Sequence, residues 1–409
     1  VKKYVAVALG ILTAIGGFVD IGDLVTNAQV GARFGLSLAW VVVIGVLGIC
    51  VFAEMSGRVA AVSGRATFDL VRERLGPRVG MLNLVASMLI TFLTFVAEIG
   101  GVALSLQLVA SVHLLLIVPF VGLAVWLLLW RAKFSAIENV LGLLGLALVV
   151  FAVGLWQLGP DWGALVQQAA TADKPGDEHW RTFAYYAVAL FGAAMTPYEV
   201  FFFSSGGVEE RWTPEDISTM RANVLVGFPL GGLLSLAIAG SAWVVLGPLQ
   251  ISVDSLGQVG LPVAAALGKV GLAVAILGFV AATFGAACET GLSVGYSIAQ
   301  YFGRQWGKYV RPKEAVGFHV VLLLATLAAT AFLMTAVDPI MVTEVSVVFS
   351  AVALPLTYFP ILVVANDRDY MGEHVNGRLA NGLGSIYLVV ICVAAVAALP
   401  LMIWTRMGQ

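Results

Sequence analysis

The sequence predicts an all-α polytopic membrane protein of eleven transmembrane helices, ten of them in two sets of five that cross the bilayer in opposite directions. Three observations predict it: hydropathy too high for a water-soluble surface, a one-sided distribution of basic residues, and two polar breaks at corresponding places in apolar stretches. Of 409 residues, 60% are hydrophobic and 11% charged, with a mean hydropathy of +0.97. A soluble domain of this length needs a far more charged surface. The formal net charge of -2 leaves no basic stripe for a nucleic-acid partner.

About 20 apolar residues cross a bilayer. On that measure the spans fall near 4–33, 36–56, 80–110, 113–130, 135–157, 181–207, 218–247, 262–302, 315–336, 340–365 and 382–405. With the N-terminus inside, only Arg33, Lys174, Arg181, Lys269 and Arg406 lie outside, and the other 17 of the 22 Lys and Arg lie on cytoplasmic ends and loops. Basic residues favour the cytoplasmic side, so one missed or invented helix would scramble this asymmetry. The C-terminus is then extracellular, in a plasma (inner) membrane. The N-terminal Val1-Lys2-Lys3-Tyr4 runs straight into an apolar segment with no small-residue cleavage site, as a first span would.

The polar segment 161–180, with Lys174-Pro175-Gly176-Asp177-Glu178, is the seam between a first repeat at 1–160 and a second at 181–370, and 371–409 supplies the eleventh helix. In the stretch 66–78, Phe68, Val71 and Leu75 stand three and four apart against Arg72, Arg74 and Arg78. That pattern predicts an interfacial helix lying on anionic lipid, a plain loop being the alternative. Cys50, Cys288 and Cys392 fall in apolar stretches without a CxxC pair and read as small buried hydrophobes.

The breaks carry the chemistry. Ile15-Gly16-Gly17 runs up to Asp20-Ile21-Gly22-Asp23 in the first helix of one set; Gly192-Ala193-Ala194-Met195 leads into Thr196-Pro197-Tyr198-Glu199 in the first helix of the other. Glycine permits an unwound backbone, and Pro197 removes a donor and blocks the preceding turn. The freed carbonyls, such as that of Ala193, become available as ligands. Either break alone could be a kinked helix with incidental polar residues. Carboxylates at both, in matching positions, point to a cation site at the interface of inverted repeats, because carboxylates in hydrocarbon are costly and broken helices occur where they line a cavity.

Other intramembrane acids are Glu54, Glu98, Glu289 and Glu344, with Glu138 near a helix start, and no Lys or Arg stands at mid-membrane to pair with them. An interior lined by acids favours a cation over an anion or a neutral solute. Glu54 and Glu138 sit near interfaces and are expected to be solvated. Glu98, Glu289 and Glu344 read equally as pathway residues or as satisfied structural groups.

At these residues the chain resembles the Nramp family of divalent metal transporters. Asp20-Ile21-Gly22-Asp23-Leu24-Val25-Thr26-Asn27 parallels the family's DPGNxxTN. Thr196-Pro197-Tyr198-Glu199 followed by Ser204-Ser205 parallels its MPHN and SS. Leu354-Pro355 through Asn366-Asp367-Arg368-Asp369-Tyr370-Met371-Gly372-Glu373 parallels its LP...SDRxxMGE. The resemblance implies a leucine-transporter-like fold, metal bound between helices one and six, no enzyme activity and no cofactor beyond the transported ion. It implies Asp20, Asp23, Ala193, Thr196 and Glu199 at the metal, Glu199 as a direct or water-mediated ligand or as a lining of the exit path. Glu98, Tyr198, Phe95 and Phe203 become pathway candidates, and a monomer in a lipid bilayer is expected.

The departures from the family pattern carry more information than the matches. Asp23 stands where the family has a metal-binding Asn, and Thr196 where it has Met. Losing a thioether removes discrimination against hard cations, and added carboxylate charge favours oxygen-loving ions such as Mg²⁺. Tyr198 and Phe203 replace two His, and an acidic pair on helix three is reduced to Phe95 and Glu98. Proton relays in membranes are chains of Asp, Glu and His, so tight proton coupling is not expected. The altered motifs are similar to those of Nramp-related magnesium transporters, with Mn²⁺ as a further cargo. A proton-coupled Mn²⁺ or Fe²⁺ importer of the same fold, a sodium-coupled transporter of an organic solute and an intramembrane aspartyl enzyme are the rival readings.

Overall fold

A computed structural model describes residues 8, 10–12, 14–15, 17–176 and 178–408. Expectations for the basic N-terminus with Lys2 and Lys3, for Gly16 and for Asp177 lie outside the described residues. The helices are α1 Ile21–Phe34, α2 Ala39–Ser63, α3 Thr67–Ala110, α4 Leu114–Arg131, α5 Phe134–Leu158, α6 Trp162–Thr171, α7 Trp180–Ala194, α8 Pro197–Glu209, α9 Pro214–Val245, α10 Leu256–Tyr301, α11 Val316–Leu333, α12 Pro339–Ala365 and α13 Arg378–Trp404. Among the described residues ten helices, counting α7 and α8 as one, are long and apolar enough to cross a membrane. The expected eleventh is the span that the first break interrupts. Its half α1 has only 14 residues, and before the break residues 8, 10–12, 14–15, 17 and 18 are helical.

Two pairs of helices match in build. In α3 and α10, of 44 and 46 residues, one glycine near the start leaves helical geometry: Gly76 at φ 84° and Gly268 at φ 64°. Side chains rarely adopt that left-handed region, and glycine reaches it without a Cβ clash. Each long helix is therefore a short leading piece bent against a span. The leading piece of α3 lies at the end of the molecule that carries Arg58, Arg65 and Arg211, here the basic end, and that of α10 at the opposite end. The helices that follow, α4 and α11, both have 18 residues.

α3 runs along α10 and α12, and α4 and α11 pack on them as a frame. α1 packs on α9, and α8 on α2, as a second bundle against that frame. Apolar cores fill both groups. The two breaks fall in the bundle where it faces the frame.

Two sequence expectations need correction here. The amphipathic piece at 67–75 does not lie on lipid: Phe68, Leu70 and Val71 are fully buried, and Phe68 meets Phe201 edge-on at 4.9 Å. Of the three bases in the stretch 66–78, two are held within the protein, Arg74 by Asp367 at 2.6 Å and Arg72 by the Tyr301 carbonyl, and Arg78 is exposed. An amphipathic stripe looks the same whether its apolar face covers lipid or protein. The eighth helix, expected from 262, begins at Leu256, with a leading piece that ends at Gly268 just before Lys269. Within the seam 161–180, Asp161 caps α6 by accepting from the Ala164 N–H at 3.0 Å.

Candidate functional site

At the first break the backbone of Asp20 is extended, at φ −99° and ψ −175°, and Asp20 caps α1 by accepting from the Asp23 N–H at 2.9 Å. The next free amide, Ile21 N–H, donates to Glu98 Oε1 at 3.1 Å, a residue of α3. Helix starts leave amides unpaired and carry partial positive charge, so carboxylates are stabilised there. One turn on, Asn27 Nδ2 donates to the Asp23 carbonyl at 2.9 Å and to its Oδ1 at 3.2 Å. Asp20, Asp23 and Glu98 are all buried.

At the second break Met195 and Thr196 leave helical geometry, and Pro197 opens α8. The Ala193 carbonyl would accept from residue 197 in a continuous helix, and proline has no N–H to give. The Thr196 hydroxyl lies 3.4 Å from that carbonyl and 3.4 Å from Glu199 Oε2, one proton facing two acceptors at long range. The Tyr198 hydroxyl donates to Asp20 Oδ2 at 3.5 Å, which joins the two breaks. Asp20, Asp23 and Glu199 stand within one another's electrostatic field. Together they offer carboxylate, carbonyl and hydroxyl oxygens. Among the described residues no three His, Cys, Asp or Glu are grouped so that they could hold a metal ion by themselves.

From Glu199 a cavity of about 340 Å³ leads towards the turn at 209–216 at the basic end. Glu138, Glu210, Asp216 and Glu289 line it with Phe203, and no Lys or Arg does. A small void of about 10 Å³ lies between Thr26, Gln29, Tyr185 and Glu344.

Of the sequence candidates, the structure brings Asp20, Tyr198 and Glu98 around the first break and Ala193, Thr196 and Glu199 around the second. Phe203 borders the cavity and meets Trp212 edge-on at 5.2 Å. Phe95 is fully buried in the frame's core near Gly291 and is not among the residues lining this cavity. Glu54 is a correction, since it accepts from Arg58 at 3.0 Å and Arg221 at 2.9 Å instead of being simply solvated. Glu138 lines the cavity rather than a loose interface. Cys50 and Cys288 are buried as expected, whereas Cys392 is exposed on α13. Glu210 and Asp216 were missed, because acids in a short polar turn carry no sign of the cavity below them.

A family model described as Natural resistance-associated macrophage protein-like matches residues 10–400. The chain belongs to the Nramp family. Relatives of this Nramp chain include the Divalent metal cation transporter MntH of Pectobacterium carotovorum, 25% identical over 389 residues, with 92% of this chain and 89% of the relative covered. The MntH of Deinococcus radiodurans is 26% identical over 413 residues, covering 96% and 88%. Among solved structures, a manganese transporter of Eremococcus coleocola superposes with a TM-score of 0.76 at 18% identity, covering 98% of this chain and 87% of that one. The nucleobase-cation-symport-1 transporter Mhp1 superposes at 0.60 and 14% identity, covering 97% and 92%. These likenesses establish the fold, the leucine-transporter-like arrangement with broken helices one and six. As an Nramp member the chain is a transporter and not an enzyme, which removes the aspartyl-enzyme reading.

Proposed function

We propose that this Nramp chain carries divalent metal ions through the membrane by alternating access, that Mg²⁺ is its main cargo with Mn²⁺ also accepted, and that protons are not tightly coupled. The observation that carries the Mg²⁺ reading is the hydroxyl at position 196 beside the Ala193 carbonyl, with the one sulfur of the second break, on Met195, packed towards Gly48. Thr196 supplies a hydroxyl there, and the adjacent Met195, fully buried, turns its Sδ to within 2.8 Å of where a Gly48 Cβ would stand on α2. Mg²⁺ demands oxygen ligands and keeps several waters, while thioethers select softer metals. The ion is held by Asp20, Asp23, Thr196 and the Ala193 carbonyl, with Glu199 between site and cavity. No His lines that cavity, which supports a weak proton relay.

With the basic end in the cytoplasm, the cavity is the exit, the N-terminus is inside and the C-terminus outside a plasma (inner) membrane. The matching elements of 1–160 and 181–370 support these as the two repeats, and the chain works as a monomer. A membrane potential is worth about 2.3 kcal/mol per charge per 100 mV, enough to draw a dication inward. A proton-coupled Mn²⁺ importer is the second reading; the names of the relatives favour it, as does Glu98 Oε2, buried without a hydrogen-bond partner. Proteoliposomes containing a pH dye separate the two. The expected result is saturable Mg²⁺ uptake with no internal acidification; Mn²⁺ uptake that acidifies the lumen while Mg²⁺ stays outside would establish the importer instead.

A further inference from the structure

At the end opposite the cavity, α1 packs against α12. Gly22, Thr26, Gln29 and Arg33 follow one another on a single face of α1. At the level of the site, a Cβ on Gly22 would stand 2.9 Å from Val347 of α12. One turn from Val347 on α12, Glu344 accepts from Gln29 Nε2 at 2.6 Å, and the same amide reaches the Val253 carbonyl at 3.1 Å. Seven residues at 1.5 Å rise put this contact about 10 Å along α1 from the break. Another turn on, Arg33 holds Glu178 with two hydrogen bonds, one of 3.0 Å. The half-buried Glu344 has no Lys or Arg in salt-bridge range among the described residues, and Asp254 and Asp338 add to the negative field around it. A neutral amide can satisfy a carboxylate oxygen without cancelling its charge.

We propose that Gln29 and Glu344 are the outer gate of this transport path, and that the carboxylate released when they part captures the incoming dication and hands it down to Asp20 and Asp23. A guanidinium at position 29 would compete with the ion for Glu344; an amide gives way to it. This inference rests on the reading of the chain as a divalent-cation transporter.

Glu344→Gln separates the gate from a structural role, because a glutamine carbonyl can still accept from Gln29 while the charge is gone. In vesicles of both orientations, E344Q raises the half-saturating Mg²⁺ concentration at least fivefold from the outer side, leaves the inner-side value unchanged, and keeps the maximal rate within twofold. Gln29→Ala does not raise the outer-side value. An unchanged outer-side value in E344Q, or an equal change or loss from both sides, overturns the proposal. If the wild-type chain moves Mn²⁺ and not Mg²⁺, the cargo reading fails instead, and the same side-by-side comparison with Mn²⁺ decides the gate.

Discussion

The two helix breaks are built from different materials. At the first, Asp20 and Glu98 take the amides of Asp23 and Ile21, and Asn27 steadies Asp23, so acids fixed by backbone hydrogen bonds form a charged platform. At the second, Pro197 strips the Ala193 carbonyl of its donor, and Thr196 reaches two acceptors only at 3.4 Å. Groups held this loosely can re-aim towards an ion at little cost. The contrast teaches a division of labour: the first break supplies charge and position, and the second supplies neutral oxygens whose chemistry sets which dication fits.

The largest effect is expected at the platform. Asp20→Ala removes a charge, the cap of α1 and the link to Tyr198, and should cut metal flux at least 100-fold, about 2.7 kcal/mol at 1.36 kcal/mol per decade. Asp20→Asn keeps an oxygen for the Asp23 amide and loses only the charge. Initial rates of Mg²⁺ uptake in proteoliposomes should put both variants at a similar low level. An active Asp20→Asn would show that the first break works through its fold and not its charge, and the division would collapse.

Next in size is Thr196→Met at the second break. A thioether beside the Ala193 carbonyl should shift the ratio of Mn²⁺ or Cd²⁺ flux to Mg²⁺ flux roughly tenfold towards the softer ions, while total transport survives. Competition of Cd²⁺ against Mg²⁺ uptake measures this. A ratio that does not move would assign selectivity to the platform after all.

The sequence was most legible where membrane physics leaves few choices. Uninterrupted apolar length located the spans, and the glycine, proline and carboxylates of 15–23 and 192–199 marked both breaks, because such residues in hydrocarbon need a reason. What stayed hidden depended on packing between distant segments. The stripe of Phe68 and Val71 fits lipid and protein equally until Phe201 is seen against it. Glu54 gives no sign of Arg221, 167 residues away. The leading piece of α10 escaped notice because its bend rests on Gly268, one of 45 glycines in the chain, and only the backbone shows which of them takes positive φ. Glu98 was legible as an acid and not as the partner of Ile21, since its role depends on α3 passing the broken end of α1.

The smallest expected effect probes what keeps the second break in place while its oxygens stay free. Just beyond it, the Val200 carbonyl accepts from Ser56 Oγ of α2 at 2.7 Å, Ser56 meets Thr67 Oγ1 at 3.1 Å, and the Thr67 amide donates to Ser204 Oγ at 2.8 Å. This buried chain of hydroxyls ties α8 to α2 and to the leading piece of α3, so the loose ligands stand on an anchored helix. Ser56→Ala removes one hydroxyl and leaves Val200 short of a donor, a loss of about 1 kcal/mol, read as a lower thermal midpoint in detergent. Because the anchor lies outside the ligand set, the Mn²⁺ to Mg²⁺ flux ratio should stay at its wild-type value even as stability falls. A ratio that moved with Ser56→Ala as it does with Thr196→Met would mean that selectivity lies in the placement of α8 as a whole, and not in the atoms Thr196 offers.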